Sequence, residues 1–416
     1  MRQLSGPARL YLVHTALLTF GLAVSSLFFN LLLVELGYDR RALALPVVGE
    51  LSLLGLLNSL PVLVAALSSL PLWWLVSRVG PRPALVAGAL LHAASLLGAA
   101  LWPAPATMLA AVALGGPASV LFQVSAAPFM MRHSGPDERD LLFSLSAGLN
   151  IGVAGLGSLV GGFLPGLASE LFGLTPQTAA AYRATFLVAA AVAALAAIPL
   201  MLNVERRTQQ EDDAAASTGG APVNLRYVLR SALYAVRFMV SPLLISCGAA
   251  LLIPFLNIYF RQRFGAPDAA LGAIFAAIGV ATGAATLLAP LLSRRLGKMA
   301  SVVLTQGLAI PCLLLLGLAP SLWLAGAVAL LRGALMNMAA PLYDAYAMER
   351  SPEAARPIVI GLINGAFSAG YIVGPNISAQ VQQSYGFAPL FVATACFYAC
   401  AALANYLIFL RPGAAR

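Results

Sequence analysis

One arginine stands inside a long apolar run of this sequence. Arg332 follows ten apolar or small residues that begin at Leu322, which places it about 15 Å along a helix at a rise of about 1.5 Å per residue. No acidic residue lies at a similar depth in any apolar run, and Asp344 stands about 18 Å further along the same helix. A guanidinium that is not paired with a carboxylate of the protein can bind an anionic ligand through two parallel hydrogen bonds. We expect Arg332 to bind such a group, and the alternative is a structural network with helix-end carbonyls and asparagines.

Further polar side chains lie in or beside similar apolar runs. Proton coupling needs a titratable group whose pKa changes with its surroundings, and His14 and His92 are weaker candidates for it than three carboxylates, Glu35, Glu50 and Asp344. Neutral hydrogen bonds to a substrate are expected from five side chains, Asn30, Gln123, Asn257, Asn337 and Tyr343. Each has a plainer alternative, because carboxylates at helix ends are often solvated and single asparagines often join membrane helices.

The runs that carry these residues are long enough to cross a membrane. Hydrophobic residues make up 60% of the 416 positions, only 9% are charged, and the mean hydropathy is +0.88. A soluble chain carries about a quarter charged residues, and a hydrocarbon core of about 30 Å is crossed by roughly 20 apolar residues. Twelve such runs follow one another, the second predicted from Pro46 to Val76 and the seventh from Pro242 to Phe260. We therefore predict an all-α integral membrane protein with twelve transmembrane helices.

Several classes of function are excluded by what the sequence lacks. It has no phosphate-binding loop of the ATPase type, no His-Glu-x-x-His motif and no nucleophile with an acid or base partner. The four cysteines lie in apolar runs without metal-site spacing. The net charge of +9 is distributed over short polar segments, without the single basic face that nucleic-acid binding requires. We expect neither an enzyme nor a cofactor, metal or nucleic-acid partner.

The basic residues predict the orientation in the bilayer. With the N-terminus inside, 18 of the 24 Lys and Arg residues fall in inner segments, five fall in outer segments, and Arg332 lies within a span. Such a bias is typical of cytoplasmic loops, so we expect both termini in the cytoplasm. The Ala-, Leu-, Gly- and Arg-rich composition is typical of a GC-rich bacterial genome, which favours a bacterial inner membrane.

The two halves of the chain repeat each other. The segment AVALGGPASV at 111–120 aligns with AVALLRGALM at 327–336 at an offset of 216 positions. Six-plus-six repetition of this kind is common in secondary transporters. We predict six-helix bundles over 1–203 and 241–416, joined by a cytoplasmic linker over 204–240. The linker should contain a flexible piece over 209–221 and then an amphipathic helix lying on the inner membrane surface.

Two short loops carry a repeated motif of glycine and basic residues. In WWLVSRVGPRP the motif positions are Ser77, Arg78, Gly80 and Arg82, and in PLLSRRLGK they are Arg294, Arg295, Gly297 and Lys298. Both resemble the G-x-x-x-D-R-x-G-R-R loop of the major facilitator superfamily, although Ser77 and Arg294 replace its acidic residue. The plainer interpretation is a tight turn with arginines anchored at the inner surface.

A glycine pattern in the fifth span also resembles that family. In GSLVGG the glycines are Gly157, Gly161 and Gly162, and the pattern is similar to the family's G-P-x-x-G-G with Ser158 in place of proline. In that family the pattern is associated with antiporters that export their substrates. Glycines at this spacing also allow two helix backbones to approach closely.

The resemblance extends over nearly the whole chain and implies a function. It implies two pseudo-symmetric bundles that work by alternating access, with spans 1, 4, 7 and 10 lining a central cavity. We expect a monomeric secondary transporter of the drug or organic-compound antiporter-like branch. Its substrate would be a small amphiphilic organic solute, anionic if Arg332 binds it, exported in exchange for protons or another ion. The alternatives are an importer or uniporter of the same fold, and a membrane receptor or assembly factor that transports nothing.

Overall fold

The computed structural model of this chain describes residues 4–45, 49–202 and 225–411. In these ranges twelve helices are long and apolar enough to cross a membrane, which confirms the predicted fold class. Numbered α1 to α12, they are Gly6–Glu35, Leu53–Val79, Pro81–Leu101, Pro105–Arg132, Pro136–Phe172, Ala179–Leu195, Leu225–Leu252, Asp268–Leu296, Lys298–Leu318, Leu322–Arg350, Arg356–Tyr385 and Ala388–Asn405. Short helical turns continue three of them, Ala197–Met201 after α6, Ile253–Phe255 and Leu256–Phe264 after α7, and Tyr406–Leu410 after α12.

The second span begins later than the sequence predicts. The residues before α2 form an antiparallel hairpin of strand β1, Ala42–Leu45, and strand β2, Gly49–Ser52. Pro46 itself lies outside the described residues, but the predicted helix was wrong over 49–52, because a short apolar run does not by itself distinguish a strand from a helix. Glu50 therefore lies on β2 and outside the membrane helix.

The seventh span is longer than predicted and includes the expected surface helix. A single helix, α7, runs from Leu225 to Leu252 without a break, and Pro242 lies inside it. Proline is tolerated in membrane helices because neighbouring groups satisfy the freed backbone carbonyl. In the described part of this extension Ala235 and Phe238 are fully buried. The amphipathic segment is thus continuous with the seventh span, whose apolar part runs from Ala235 to Phe264, and its position on the inner membrane surface stays a prediction. The flexible piece predicted over 209–221 lies outside the described residues.

The chain forms two compact units in which the same helix pairing occurs. The first unit comprises Met1–Leu36, Leu60–Pro222 and Asp268–Ala276, and the second comprises Gly37–Ser59, Val223–Pro267 and Ala277–Arg416. In the first unit α1 packs against α5 and α6, and α3 packs against α4 and α6. In the second unit α7 packs against α11 and α12, and α9 packs against α10 and α12. Each pairing recurs six helices later, as the internal repeat of the sequence indicates.

Glycines bring helix backbones together in the first unit. A Cβ added at Gly157 would lie 2.8 Å from the Cβ of Ala23 and 2.9 Å from the carbonyl oxygen of Phe20, and one at Gly161 would lie 3.2 Å from the Cα of Val24. Gly162 is equally close to the first turns of α8, where a Cβ would lie 2.9 Å from the Cα of Gly272. The glycine pattern of the fifth span therefore has a packing role.

Candidate functional site

Arg332 lies in the wall of a cavity in the second unit. The cavity has a volume of about 320 Å³ and is lined by residues of α7, α9, α10, α11 and α12. The arginine is 7% exposed, so most of its side chain is enclosed by the helices. Apolar and aromatic side chains, including Ile245, Phe367 and Tyr371, form much of the remaining wall. A mostly apolar cavity with a few polar groups is the usual form of a small-molecule site.

The guanidinium of Arg332 is bound by a hydroxyl and not by a carboxylate. Its Nη2 donates to the hydroxyl of Tyr398, and its Cζ lies 5.5 Å from the centroid of the same ring. Its Nε is buried without a hydrogen-bond partner, and no carboxylate in the described ranges forms an ion pair with it. A cation inside a membrane is costly unless a partner compensates it. The cavity is therefore suited to an anionic ligand.

Three other predicted site residues line the same cavity. Asn337 and Asp344 are on α10 with Arg332, and Asp344 is half-buried. The Nδ2 of Asn337 donates to the carbonyl of Gly333 at 2.8 Å, and the hydroxyl of Tyr343 donates to the carbonyl of Phe238 at 2.8 Å. Tyr343 thereby ties α10 to the extension of α7. The structure places one permanent cation and one titratable carboxylate in a single cavity.

The cavity also contains polar residues that the sequence analysis did not select as site residues. They come from helices other than α10, namely Ser241, Gln306, Asn364, Tyr371 and Tyr398. An amide in an apolar run is a visible signal, and Gln306 and Asn405 both have it. In the structure the Nδ2 of Asn405 donates to the Oε1 of Gln306 at 3.0 Å and to the hydroxyl of Ser241 at 2.8 Å. This buried network fixes the polar wall of the cavity.

Gln123 lines a different cavity, in the first unit. This cavity has a volume of about 400 Å³ and is formed by residues of α1, α3, α4 and α5. Its polar lining is hydroxyls, amides and one imidazole, contributed by Thr19, Ser26, His92, Ser119, Gln123, Asn150 and Ser158. The two cavities thus differ chemically, since the first unit offers neutral groups and the second offers charged ones.

Four predicted residues, and the weaker candidate His14, line neither of these cavities. Asn30 and Asn257 are buried, and the Oδ1 of Asn257 accepts a hydrogen bond from the backbone nitrogen of Ile258 at 2.9 Å. Glu35 and Glu50 are exposed. The backbone carbonyl of Glu50 accepts a hydrogen bond from Gln380 at 3.0 Å. Their proposed roles in substrate or proton binding therefore stay predictions without support from either cavity.

The two glycine loops have the same backbone conformation. Gly80, before α3, has φ 89° and ψ 163°, and Gly297, before α9, has φ 84° and ψ 157°. Only glycine adopts a positive φ of this kind without strain. Each glycine is the single residue between two helices, so it forms the tight connection between α2 and α3 or between α8 and α9.

The basic residues of these loops bind helix ends and neighbouring side chains. Arg82 donates from Nε to the carbonyl of Leu200 at 2.8 Å and from Nη2 to that of Met201 at 3.1 Å. The guanidinium of Arg78 lies 3.9 Å from the ring centroid of Trp74, whose carbonyl accepts a hydrogen bond from Ser77. Lys298 forms an ion pair with Glu349, whereas Arg294 and Arg295 are exposed. The loops therefore hold helices together within each unit.

Comparisons with known proteins agree with this architecture. A family model described as Major Facilitator Superfamily matches residues 11–375 and 238–416. A solved structure of a bacterial homologue of the human lysosomal transporter Spinster, inward-facing and unoccupied, aligns with a TM-score of 0.74 and 14% identity over 97% of both chains. A D-xylose–proton symporter aligns with a TM-score of 0.73 and 16% identity over 98% of both chains. The nucleoside transporter NupG aligns with a TM-score of 0.72 and 14% identity over 97% of this chain and 100% of its own.

These likenesses establish the fold. At such identities a structural match indicates shared architecture and carries no information about the substrate. No curated protein matches the sequence. The side chains that line the cavities are therefore the evidence on the substrate.

Proposed function

We propose that this chain, which belongs to the Major Facilitator Superfamily, carries a small amphiphilic organic anion across the membrane with Arg332 as the anion-binding group. The family and the similar structures are transporters and not enzymes, and the fold is one that supports secondary active transport by alternating access. Protons are the proposed coupling ion. A bacterial inner membrane, cytoplasmic termini and a monomeric state belong to the same proposal.

The observation that carries the proposal is the uncompensated guanidinium in an apolar cavity. The Nε of Arg332 has no partner among the described residues, and its Nη2 is bound only by the hydroxyl of Tyr398. A carboxylate could accept from the guanidinium in the bidentate geometry that arginine favours. The volume of about 320 Å³ lies at the small end of the range of about 300–1,000 Å³ for ligand pockets. Phe367 and Tyr371 would contact the apolar part of such a ligand.

Asp344 is the proposed proton-binding group of this cavity. Protonation of its carboxylate removes a negative charge from a space that also receives the anion. Two unit charges about 18 Å apart interact by about 1 kcal/mol at an effective dielectric constant of about 20, which is roughly fivefold in affinity. A proton on Asp344 and an anion on Arg332 should therefore bind cooperatively.

Two directions of transport are candidates. The glycine pattern of α5 is similar to that of exporting antiporters in the family, and on this basis we propose export in exchange for protons. A second candidate is uptake together with protons. It is favoured by the presence of Arg332 and Asp344 in one cavity, because an anion and a proton that bind there cooperatively are expected to be carried in the same direction.

The role of Arg332 is tested by binding and counterflow with defined probes. Purified protein in proteoliposomes is assayed with labelled benzoate and octanoate, and with benzamide as the uncharged analogue. Losing hydrogen bonds to a charged group costs about 1.5–3 kcal/mol, so Arg332→Ala should weaken carboxylate binding roughly 10- to 100-fold and leave benzamide unaffected. Arg40→Ala, in an exposed loop where the guanidinium faces Asp39 at 3.9 Å, is the control for loss of one positive charge. Carboxylate binding and exchange that are equal in wild type and Arg332→Ala would refute the assignment.

The direction of coupling is tested with imposed pH gradients. Co-transport predicts that an inward proton gradient drives benzoate into the vesicles, whereas exchange predicts that the same gradient drives it out. Asp344→Asn should abolish the response to the gradient while counterflow continues. Gradient-driven flux that is unchanged in Asp344→Asn would show that this carboxylate is not the coupling group.

Orientation is tested by labelling with an impermeant thiol reagent in intact cells. Asp39→Cys, in the loop after α1, should be labelled from outside, and Glu353→Cys, in the loop before α11, should be protected until the membrane is permeabilised. The opposite pattern would invert the proposed topology.

A further inference from the structure

One face of α11 lines the cavity of Arg332 with two polar side chains and an aromatic ring between them. The three residues are Asn364, Phe367 and Tyr371, and their spacing of three and then four positions places them on one side of the helix. The rings of Phe367 and Tyr371 lie 5.4 Å apart between centroids. Along the helix axis the two polar residues are about 10.5 Å apart at about 1.5 Å per residue. This face of α11 therefore presents a polar, an aromatic and a second polar group in that order.

The two polar side chains of this face are not used by the protein. Neither the hydroxyl of Tyr371 nor the side-chain amide of Asn364 forms a hydrogen bond with a described residue, and Asn364 accepts from the hydroxyl of Ser368 through its backbone carbonyl at 2.9 Å. Asn337 of the same cavity differs, because its Nδ2 donates to the carbonyl of Gly333 at 2.8 Å. A small-molecule site usually has a few polar groups that fix the orientation of the ligand. Tyr371 and Asn364 are two such groups.

Tyr371 stands beside the proposed anion-binding group. It interacts electrostatically with Arg332 and with Tyr398, whose hydroxyl accepts a hydrogen bond from the Nη2 of Arg332. A carboxylate can accept about four hydrogen bonds, so one that is bound to the guanidinium can also accept from the hydroxyl of Tyr371. We therefore expect Tyr371 and Arg332 to bind the same anionic group.

The facing helix, α10, is apolar beyond Arg332. Met336 lines the cavity four residues after Arg332, which is about 6 Å along the axis. Because α10 and α11 follow each other in the chain and pack together, they are antiparallel neighbours. The residues after Arg332 on α10 thus lie opposite the residues before Tyr371 on α11. Met336 and Phe367 form an apolar middle between the anion-binding end of the cavity and Asn364.

We propose that the ligand of this cavity is an aromatic carboxylate with a hydroxyl group at the far end of its ring, and that Asn364 binds this hydroxyl. The carboxylate would lie at Arg332 and Tyr371, and the ring would pack against Phe367. An amide both donates and accepts hydrogen bonds, as a phenol hydroxyl does, and a neutral side chain suits a neutral group. A ring with a short acid chain and a para-hydroxyl has a length of the same order as the spacing of about 10.5 Å. This inference rests on the proposed function, because the carboxylate site is that of Arg332.

The test uses two probes that differ only in the hydroxyl. Binding of 3-(4-hydroxyphenyl)propionate and of 3-phenylpropionate to the purified full chain is measured by titration calorimetry. In Asn364→Ala the preference for the hydroxylated probe should fall about 2- to 10-fold relative to the wild type, which corresponds to the loss of one neutral hydrogen bond. The change should not disturb the helix, because the amide is unbonded and alanine has the higher helix propensity. A preference that is the same in the wild type and in Asn364→Ala would overturn the proposal.

Three further variants show which group binds which end of the probe. Tyr371→Phe should weaken both probes by the same factor, because both carry the carboxylate. Ser368→Ala is the control on the same helix, one turn from Asn364, and should leave both affinities unchanged. If the preference for the hydroxyl falls in Asp344→Asn and not in Asn364→Ala, the hydroxyl is bound by Asp344 and the proposal is overturned.

The same measurements distinguish failure of this inference from failure of the proposed function. If both probes bind and both lose affinity in Arg332→Ala, but their ratio does not respond to Asn364→Ala, the proposed function stands and this inference fails. If neither probe binds, or if both bind equally well to the wild type and to Arg332→Ala, the proposed function fails and this inference fails with it.

Discussion

Replacing Tyr398 by phenylalanine removes the hydroxyl that binds the Arg332 guanidinium. Among the described residues this hydroxyl is the hydrogen-bond partner of the arginine, whose Nε has none. The ring of Tyr398 lies 5.5 Å from the Cζ of Arg332, and phenylalanine keeps that contact. The substitution therefore isolates the hydrogen bond from the cation–π interaction.

The hydrogen bond between Tyr398 and Arg332 is largely withdrawn from solvent, because Tyr398 is 1% exposed and Arg332 is 7% exposed. Hydrogen bonds to charged groups contribute about 1.5–3 kcal/mol, whereas side-chain hydrogen bonds between membrane helices average about 0.6 and reach about 1.7 kcal/mol. The two ranges overlap near about 1.5 kcal/mol. We expect Tyr398→Phe to lower the free energy of unfolding by about this amount.

A double-mutant cycle with Arg332→Met measures the interaction. Unfolding free energies of the wild type, both single variants and the double variant are obtained by titration with sodium dodecyl sulfate in mixed micelles. A coupling energy of about 1.5 kcal/mol is expected between Tyr398→Phe and Arg332→Met. Tyr343→Phe is the matched control, because its hydroxyl binds the carbonyl of Phe238, and it should be additive with Arg332→Met. Additivity of the Tyr398 and Arg332 changes within about 0.5 kcal/mol would refute the proposed pairing.

Two further predictions concern glycines, each with a control on the same kind of segment and the same unfolding titration. Gly157→Ala should lower the free energy of unfolding by about 1–3 kcal/mol, because the new Cβ would lie 2.8 Å from the Cβ of Ala23. Gly152→Ala, on the same helix, should be neutral or stabilising, because a Cβ there has nothing within 4 Å. Equal losses of stability in the two variants would show that the close helix crossing is not required. Gly80→Ala should lower the free energy of unfolding by about 1–3 kcal/mol, because the glycine has φ 89°. Gly135 should tolerate alanine, because it has φ −68° and a Cβ there has nothing within 4 Å. A Gly80→Ala variant as stable as the wild type would contradict the need for a positive φ at this turn.

The fold could be predicted from the sequence because membrane helices must satisfy their own backbone hydrogen bonds. A long apolar run in a membrane can then form essentially only a helix, which is why the predicted number of spans and the predicted fold class agree with the structure. The errors occur where this constraint is weaker. The run after Pro46 is short enough to form the β2 strand, and Pro242 suggested a helix boundary although α7 continues through it. Composition and periodicity do not decide either case.

The site could be predicted only in part. Arg332 was identifiable because a lone cation in an apolar run is conspicuous. Its partner Tyr398 lies 66 positions away on α12, and no local pattern links the two. Asp344 shares the cavity of Arg332 because of the length of the cavity along α10. The Nδ1 of His92 has no hydrogen-bond partner among the described residues because of how the surrounding helices pack. These are properties of tertiary packing, which spacing along a single chain does not specify.

The repeat itself indicates where the two units differ in function. The glycine turns at Gly80 and Gly297 have nearly the same φ and ψ, so the backbone is repeated closely. At the offset of 216 positions, however, Arg332 corresponds to Gly116, where an added Cβ would lie 2.6 Å from the carbonyl oxygen of Pro61. In the first unit, Gly116 lets two helices approach closely. In the second unit, Arg332 places a positive charge in the wall of a cavity. A substrate bound alike by both units would require similar cavities, whereas the cavity of the second unit offers a cation and that of the first offers an imidazole among neutral oxygens, so we expect the anion to bind in the second unit.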